Sequence, residues 1–238
     1  MLFLINSPKK TIAIETTKFF KNCFEEEISC TTSAISQQRK KLDYTFFVAW
    51  NKILVDAFYK FYGKKVKRWN GFIVVAVDGS TSHLFDKEEI VKYFGTHSNQ
   101  YVKRPMARLM YAHDVYNDIT IRSSILPIRY SEHHVLPYWI DRFKEDELGL
   151  YDRYYPSFRN IWLHEHLNKK YVMRCSVSEN NVIKNFVSTG KRNSIVEFSA
   201  TDSAIKSLKL YGYKITEQTK VKVRLVRIKL KNGDIERV

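Results

Sequence analysis

The sequence of 238 residues is poor in the residues that mark several common classes of protein. Eight glycines and five prolines are too few for a low-complexity or collagen-like chain, and no internal repeat is present. Its three cysteines, Cys23, Cys30 and Cys175, have neither metal-binding nor disulfide spacing, which favours a reducing compartment. No apolar run approaches the ~18 residues of a membrane span, and the opening MLFLIN is too short for a signal-peptide core. We therefore expect a soluble, cytoplasmic protein without a membrane partner.

Acidic residues are also scarce, and the imbalance is unevenly distributed. Lys and Arg number 40 against 25 Asp and Glu, which gives a formal net charge of +15. Residues 1–70 carry 13 basic and 6 acidic residues and residues 171–238 carry 14 and 6, whereas the segment between them carries 13 of each. Basic flanks around a neutral centre favour a protein that binds a polyanion such as nucleic acid. The alternative is a basic surface that serves solubility alone.

What is present is a succession of periodic segments that predicts a mixed α/β fold. Residues 1–66 have the apolar spacing of helices, and the segment TTSAISQQRKKL offers Thr32 or Ser33 as an N-cap. Short helices of this kind are compatible with a DNA-binding helix-turn-helix arrangement or with a plain helical subdomain that has a basic face. The residues that would contact DNA in the first alternative are Arg39, Lys40 and Lys41.

Residues 67–175 have a different pattern. It predicts, in chain order, one strand, a pair of strands, a helix, a strand, a helix and a last strand. The apolar run GFIVVAVDGS predicts a buried strand that ends at Asp78. Two further strands follow, joined by a hairpin at Asn117 and Asp118, and then a helix that begins after Ser131 and that Pro137 should kink or interrupt. The segment LGLYDRYYPSF predicts a short strand that ends at Asp152, followed by a helix and a last strand.

Residues 176–238 return to strand character. The segment VKVRLVRIKL alternates apolar and basic residues, and its phase slips at Leu225 and Val226, which predicts either a bulge or an edge strand. The pair Asn232-Gly233 is a strong hairpin signal, yet only five residues follow the glycine. We interpret this as a β-rich segment that is cut off before its return strand is complete.

The two aspartates that end apolar strands, Asp78 and Asp152, are the candidates for chemistry. Carboxylates at the ends of neighbouring strands can converge on Mg²⁺, which prefers hard oxygen ligands and takes one or two of them from a protein. A pair of such ions would support an in-line phosphoryl displacement. The alternative is that each aspartate belongs to a turn, and Asp78-Gly79 fits that pattern well.

An ordered set of motifs resembles the DDE transposases of bacterial insertion sequences, specifically insertion-sequence family four. The motifs are TTSAISQQRKKL, VDGST, RPMARLMYAHDV, PIRYSE and LYDRYYPSF, and they cover nearly the whole chain in the order of the family. The resemblance implies a ribonuclease-H-like core in residues 67–175, preceded by a helical DNA-binding region in residues 1–66 and followed by a β-rich insertion in residues 176–238. It implies that Asp78 and Asp152 are catalytic and hold Mg²⁺ or Mn²⁺.

The sequence departs from the family in two places. Tyr154 stands where the family prefers glycine, and a bulky ring there predicts an altered turn at Asp152. The family also has a third catalytic glutamate on a helix with the pattern Tyr-x-x-Arg-x-x-Ile-Glu, and this chain has no such segment. Glu165, Glu197 and Glu217 lie in unrelated contexts. We therefore expect a reading frame that is truncated before the third carboxylate.

The function that the resemblance implies is DNA transposition, by metal-dependent strand cleavage and strand transfer on double-stranded DNA at the element ends and the target. The same resemblance implies a bacterial, nucleoid-associated location. A homodimer is compatible with the sequence, which does not determine the oligomeric state. Besides the helical basic residues, the candidates for DNA contact are Arg104, Arg108 and Arg153. The alternative function is a non-catalytic DNA-binding remnant or an inhibitor of transposition.

The sequence HEH at residues 164–166 is interpreted as a surface helix and not as a zinc site, because residues two apart do not share a helix face.

Overall fold

The computed structural model describes residues 11–24, 30–98, 103–176, 180–229 and 235–238. The chain is mixed α/β, as the sequence predicts, and divides into two compact units, one up to Leu54 and one from Val55 onward. Within the described ranges, no helix combines the length and the apolar character that a membrane crossing requires.

The first unit is helical over the residues that the structure describes. It contains α1 (Ile12–Phe24), α2 (Thr32–Lys40) and the start of α3 (Thr45–Tyr62), which continues into the second unit. The N-cap of α2 is Thr31 and not Thr32 or Ser33, because Thr31 has an extended backbone and its hydroxyl accepts a hydrogen bond from the Ala34 amide at 3.1 Å. Helix α3 ends before Gly63, whose φ of 45° lies in the left-handed region.

The second unit is built on a six-stranded sheet. Three of its strands are antiparallel in the spatial order β4, β3, β1, while β5 and β6 continue from β1 in parallel. Strand β2 also pairs with β3, in antiparallel fashion. The strands are β1 (Ile73–His83), β2 (Thr96–Ser98), β3 (Lys103–Asp114), β4 (Ile119–Pro127), β5 (Glu147–Tyr151) and β6 (Lys170–Met173). The helices between them are α4 (Glu88–Phe94), α5 (Glu132–Asp141) and α6 (Phe158–His166).

The sequence predicts that strand β1 ends at Asp78. This is wrong, because the strand continues for five more residues to His83. Its second half pairs with β3 in an unbroken register, from Asp78 opposite Tyr111 to His83 opposite Met106. The polar run after Asp78 is therefore strand and not turn. The predicted hairpin between β3 and β4 is confirmed, with Asp118 at a φ of 54° in its turn.

Helix α5 is not interrupted by Pro137, because another residue satisfies the carbonyl that proline leaves free. A proline has no N–H to donate to the carbonyl four positions earlier, which here belongs to His133. That oxygen instead accepts a hydrogen bond from Nη2 of Arg159 on α6, at 2.6 Å. The predicted N-cap Ser131 is confirmed, since its backbone N–H donates to Nδ1 of His134 at 3.2 Å.

The C-terminal part of the second unit contains a second, antiparallel sheet. Its strands are β7 (Asn193–Ser199), β8 (Lys220–Lys229) and β9 (Ile235–Arg237), and two helices accompany the strands that the sequence predicts, α7 (Asn181–Ser188) and α8 (Asp202–Leu210). Neither predicted alternative at Leu225 and Val226 is correct. The β7–β8 register runs unbroken through both residues, so there is no bulge, and β8 lies between β7 and β9, so it is not an edge strand. The predicted turn at Asn232-Gly233 lies outside the described residues, although β9 does pair with β8.

A hydrophobic core joins the two sheets of the second unit. Its largest fully buried side chains include Tyr151, Tyr155, Phe143 and Leu136 near the main sheet and Leu208 on α8. Burying side chains of this size contributes ~1.5–3 kcal/mol each to stability. The helices on this face of the main sheet, α5 and α6, are thereby held against β1 and β5.

Asp114, at the end of β3, is a fully buried carboxylate with several donors. Its Oδ2 accepts hydrogen bonds from the Tyr59 hydroxyl at 2.8 Å and from the Asn117 side chain at 2.7 Å. Its Oδ1 accepts from the backbone amides of Tyr116 and Asn117. The carboxylate therefore closes the β3–β4 turn and binds the C-terminal end of α3 to the sheet.

We expect Asp114→Ala to lower the free energy of unfolding by about 3 kcal/mol or more, because it leaves several buried donors without an acceptor. Tyr59→Phe removes one of these bonds and should cost about 1 kcal/mol. Urea denaturation measures both values. Asp86→Ala, at an exposed aspartate, is the control and should change stability by less than about 0.5 kcal/mol. Equal stability of Asp114→Ala and wild type would contradict the assigned role.

Candidate active site

Asp78 and Asp152 lie side by side at the carboxyl-terminal edge of the parallel strand pair. Val77 of β1 is opposite Tyr151, the last residue of β5; Asp78 directly follows Val77, and Asp152 directly follows Tyr151. Neighbouring strands are ~4.8 Å apart, and matched residues of parallel strands point to the same face. Both aspartates are exposed. The structure thus brings together the two residues that the sequence singles out 74 positions apart.

Each of the two carboxylates has one oxygen fixed by a backbone amide. Oδ1 of Asp78 accepts a hydrogen bond from the Gly79 amide at 2.8 Å, and Oδ1 of Asp152 accepts from the Tyr154 amide at 2.8 Å. Within the ranges that the structure describes, the second oxygen of each carboxylate has no hydrogen-bond or ion-pair partner. Two exposed, hard oxygens on adjacent strands fit the donor preference of Mg²⁺ or Mn²⁺.

Tyr154 occupies its turn without the backbone strain that would require glycine. Its φ is not positive, so a side chain at this position meets no conformational penalty. Its ring instead packs on His133, with centroids 4.6 Å apart. The predicted alteration of the turn at Asp152 is therefore not explained by backbone strain at Tyr154.

Glu132, the first residue of α5, is a further carboxylate beside the pair that the sequence reasoning missed. It is 8% exposed, and its Oε2 accepts a hydrogen bond from the Tyr155 hydroxyl at 2.5 Å. Burial raises the pKa of Tyr155, and the bond to Glu132 and the negative charges of Glu132, Asp78 and Asp152 raise it further. One phenol is thus within electrostatic reach of three carboxylates. In the sequence, Glu132 is the last residue of the PIRYSE motif and follows the predicted N-cap Ser131, but neither signal indicates that it lies beside the two aspartates.

The basic residues predicted to contact DNA lie in different surroundings. Arg39 and Lys40 form the last turn of α2 and Lys41 is its C-cap, and all three are exposed on the first unit. Arg104, near the start of β3, is exposed, and so is Arg153, directly after Asp152. These five residues remain predicted contacts.

The guanidinium of Arg108, which is partly exposed, has two partners among the described residues. Nη1 forms an ion pair with Oε1 of Glu132 at 3.1 Å, and Nε donates to the Tyr130 carbonyl at 2.8 Å. These bonds account for the orientation of the side chain without any DNA. Arg108 is therefore placed as a partner of Glu132, and we leave it out of the contacts proposed below.

Among the described residues, no three His, Cys, Asp or Glu side chains lie together in a group that could hold a metal ion. The HEH segment is helical, as predicted, but its prediction as a surface helix is wrong for His164, which is fully buried. Its Nε2 lies 3.1 Å from the Tyr151 hydroxyl. Burial lowers the pKa of His164 to about 3, because the charged imidazolium loses its hydration in the core.

Comparisons with known proteins give little similarity. No protein-family model matches the chain, and no curated protein sequence matches it. Among solved structures, it is similar to the piggyBac transposase in a synaptic complex with hairpin DNA, with a TM-score of 0.39 and 10% identity over 69% of this chain. The chain spans about a third (32%) of the length of that protein. A likeness at this level identifies neither a family nor an activity.

We expect acid to destabilise the protein through His164. Because its pKa is lowered on folding, the stability that depends on its neutral form is complete above pH 6.5 and is lost as the pH falls from 6.5 towards 3. Between pH 7 and pH 5 the loss should be about 2 kcal/mol, which urea denaturation at the two pH values measures. His164→Phe should lose less over the same interval, whereas His83→Gln, at an exposed histidine, should behave like wild type. The same pH dependence in His164→Phe and wild type would contradict the assignment.

Proposed function

We propose that the second unit is the ribonuclease-H-like core of a DNA transposase related to insertion-sequence family four, with Asp78 and Asp152 as its metal-holding residues. The observation that carries the proposal is the placement of these two carboxylates on adjacent parallel strands, each with one oxygen free of partners among the described residues. The strand order also supports the proposal, since three antiparallel strands are followed by two parallel ones and the first aspartate lies on β1.

The aspartates would hold Mg²⁺ or Mn²⁺ with the oxygens that their backbone amides leave free. When bound, the cation supplies neutralisation of the charge that develops on a phosphoryl group and a lowered pKa for water. The protein contributes orientation, since the Gly79 and Tyr154 amides fix the rotation of each carboxylate. It also contributes an exposed edge that a DNA strand can approach, because Asp78, Asp152 and Arg153 all face solvent.

Double-stranded DNA, at the element ends and at the target, is the proposed partner. Phosphate contacts by Lys and Arg dominate the affinity of such complexes and make it sensitive to salt. The exposed basic residues proposed for these contacts are Arg39, Lys40, Lys41, Arg104 and Arg153. A protein of this function would act in the bacterial cytoplasm, on the nucleoid.

A second candidate is a DNA-binding protein without catalysis, such as an inhibitor of transposition. The observation that favours it is that Glu132, the carboxylate next to the aspartate pair, has both oxygens engaged by Arg108 and Tyr155. This candidate uses the same basic residues for DNA. It differs from the first in predicting no metal-dependent strand cleavage.

We expect Asp78→Asn and Asp152→Asn each to weaken Mn²⁺ binding by more than about tenfold, because even a partner behind the ligands is worth ~10–100-fold in metal affinity. Isothermal titration calorimetry of the full chain measures the binding. Nicking of supercoiled DNA with Mg²⁺ or Mn²⁺, lost in both variants, would support the transposase.

Asp86→Asn is the matched control, since Asp86 is exposed and lies away from the strand pair. Binding of Mn²⁺ that is unchanged in Asp78→Asn would contradict the metal site. Binding without any nicking would favour the second candidate.

We expect the triple variant of Arg39, Lys40 and Lys41 to glutamine to bind duplex DNA with a shallower salt dependence. If all three contact phosphates, the slope of log K against log salt should fall in magnitude by about 2.7, since each contact contributes ~0.9. Fluorescence anisotropy from 50 to 300 mM KCl (a range chosen around physiological ionic strength) measures the slope. A control triple variant at three exposed residues of the second unit, Lys87, Lys92 and Arg142, should keep the wild-type slope. Identical slopes for all three proteins would exclude the helical contacts.

A further inference from the structure

The carboxylate of Glu132 is in contact with both segments that carry the proposed metal-holding aspartates. We propose that Glu132 is the positioning residue of the Asp78–Asp152 pair, which fixes the backbone on either side of the site without itself binding the ion. The inference rests on the proposed function, and it adds a role for Glu132, Tyr155 and Gly79 that neither the sequence motifs nor the comparisons assign.

The contact with the first aspartate passes through Gly79. A Cβ atom built on Gly79 would overlap the side-chain carboxylate of Glu132. The φ of Gly79 is not positive, so the backbone here does not require glycine. Space is therefore the reason for glycine at this position. Because the Gly79 amide also donates to Oδ1 of Asp78, Glu132 packs against the same residue that orients the first aspartate.

The contact with the second aspartate passes through Tyr155. This tyrosine is fully buried, and its hydroxyl donates to Oε2 of Glu132. Its amide donates to the Asp152 carbonyl at 3.3 Å, and its own carbonyl accepts from the buried Asn160 side chain at 2.7 Å. The turn that follows Asp152 is therefore fixed through Tyr155. The Tyr155 backbone bonds to Asp152 and Asn160, and its hydroxyl bonds to Glu132.

Arg108 holds the other oxygen of Glu132. Its position on β3 is opposite Thr81 of β1, so the ion pair ties the carboxylate to the strand that neighbours the first aspartate. A carboxylate in a buried setting needs such partners, because its lost hydration is otherwise uncompensated. With Oε1 on Arg108 and Oε2 on Tyr155, each oxygen already has a protein donor. Glu132 therefore acts through its neighbours, as residues behind metal ligands commonly do.

The test is Mn²⁺ titration of the full chain by calorimetry, with a series of variants around Glu132. Glu132→Ala and Tyr155→Phe should each weaken Mn²⁺ binding by about 10–100-fold. Glu132→Gln should recover much of the affinity, because its amide oxygen can accept from Arg108 and its amide nitrogen can donate to the Tyr155 oxygen. If Glu132→Gln binds as weakly as Glu132→Ala, the charge of Glu132 acts directly on the ion and the positioning role is overturned.

The matched control for Tyr155→Phe is Tyr151→Phe, which also removes one buried hydroxyl but takes it from His164 and not from Glu132. It should lose comparable thermal stability and keep wild-type Mn²⁺ affinity. Equal affinities in Tyr155→Phe and Tyr151→Phe would overturn the proposal.

A stability measurement tests the Gly79 contact independently of metal. Gly79→Ala should lower the melting temperature in the wild-type background and have little further effect in the Glu132→Ala background, where the space is free. Additive effects of the two substitutions would overturn the contact.

Asp78→Asn separates the two proposals. If wild type binds no Mn²⁺, or if Asp78→Asn binds it like wild type, the proposed function fails and the role of Glu132 fails with it. If Asp78→Asn weakens binding while Glu132→Ala and Tyr155→Phe do not, only the role of Glu132 fails.

Discussion

The parallel pairing of β1 with β5 is the constraint on which the candidate site depends. Its register, with Val77 opposite Tyr151, puts the next residue of each strand at the same edge of the sheet. A shift of the pairing by one residue would turn one of the two carboxylates to the opposite face. The register is in turn secured by the core, since Val75, Val77 and Tyr151 all lie buried against α5 and α6. The proposed metal chemistry therefore depends directly on how well the hydrophobic core fixes one strand pair.

The site also shows how a glycine can be required by its neighbour and not by its own backbone. Gly79 lies in mid-strand, opposite Met110, where a β-branched residue would ordinarily be favourable. The carboxylate of Glu132 takes the space instead. Glycine lowers the intrinsic stability of the strand, since the β-propensity scale spans ~1 kcal/mol. The hydrogen bonds of the buried carboxylate to Arg108 and Tyr155 contribute more, because bonds to charged groups are worth ~1.5–3 kcal/mol each.

The sequence predicts those features of this molecule that depend on local patterns. The strand before Asp78, the strand before Asp152 and the Ser131 cap follow from apolar runs and capping chemistry, and the structure contains all three. The contacts around the site join residues that are far apart in the chain, such as Glu132 and Tyr155. A periodic pattern in the sequence does not predict such contacts. His164 was misjudged for the same reason, because its burial depends on the neighbouring strands and not on the polar residues beside it in the sequence.

The proline in α5 has a consequence that extends beyond its own helix. By leaving the His133 carbonyl without a backbone donor, Pro137 provides an acceptor inside a helix, where acceptors are normally already used. Arg159 of α6 occupies it with Nη2, and its Nη1 donates to the Ser207 hydroxyl on α8 at 2.9 Å. Because one N–H is missing, the Arg159 guanidinium bridges three helices. The bridge connects α5 and α6, beside the aspartate pair, to α8 in the part of the chain that carries the second sheet. A substitution that restored the N–H would return that carbonyl to its own helix and leave α6 and α8 one fewer shared anchor.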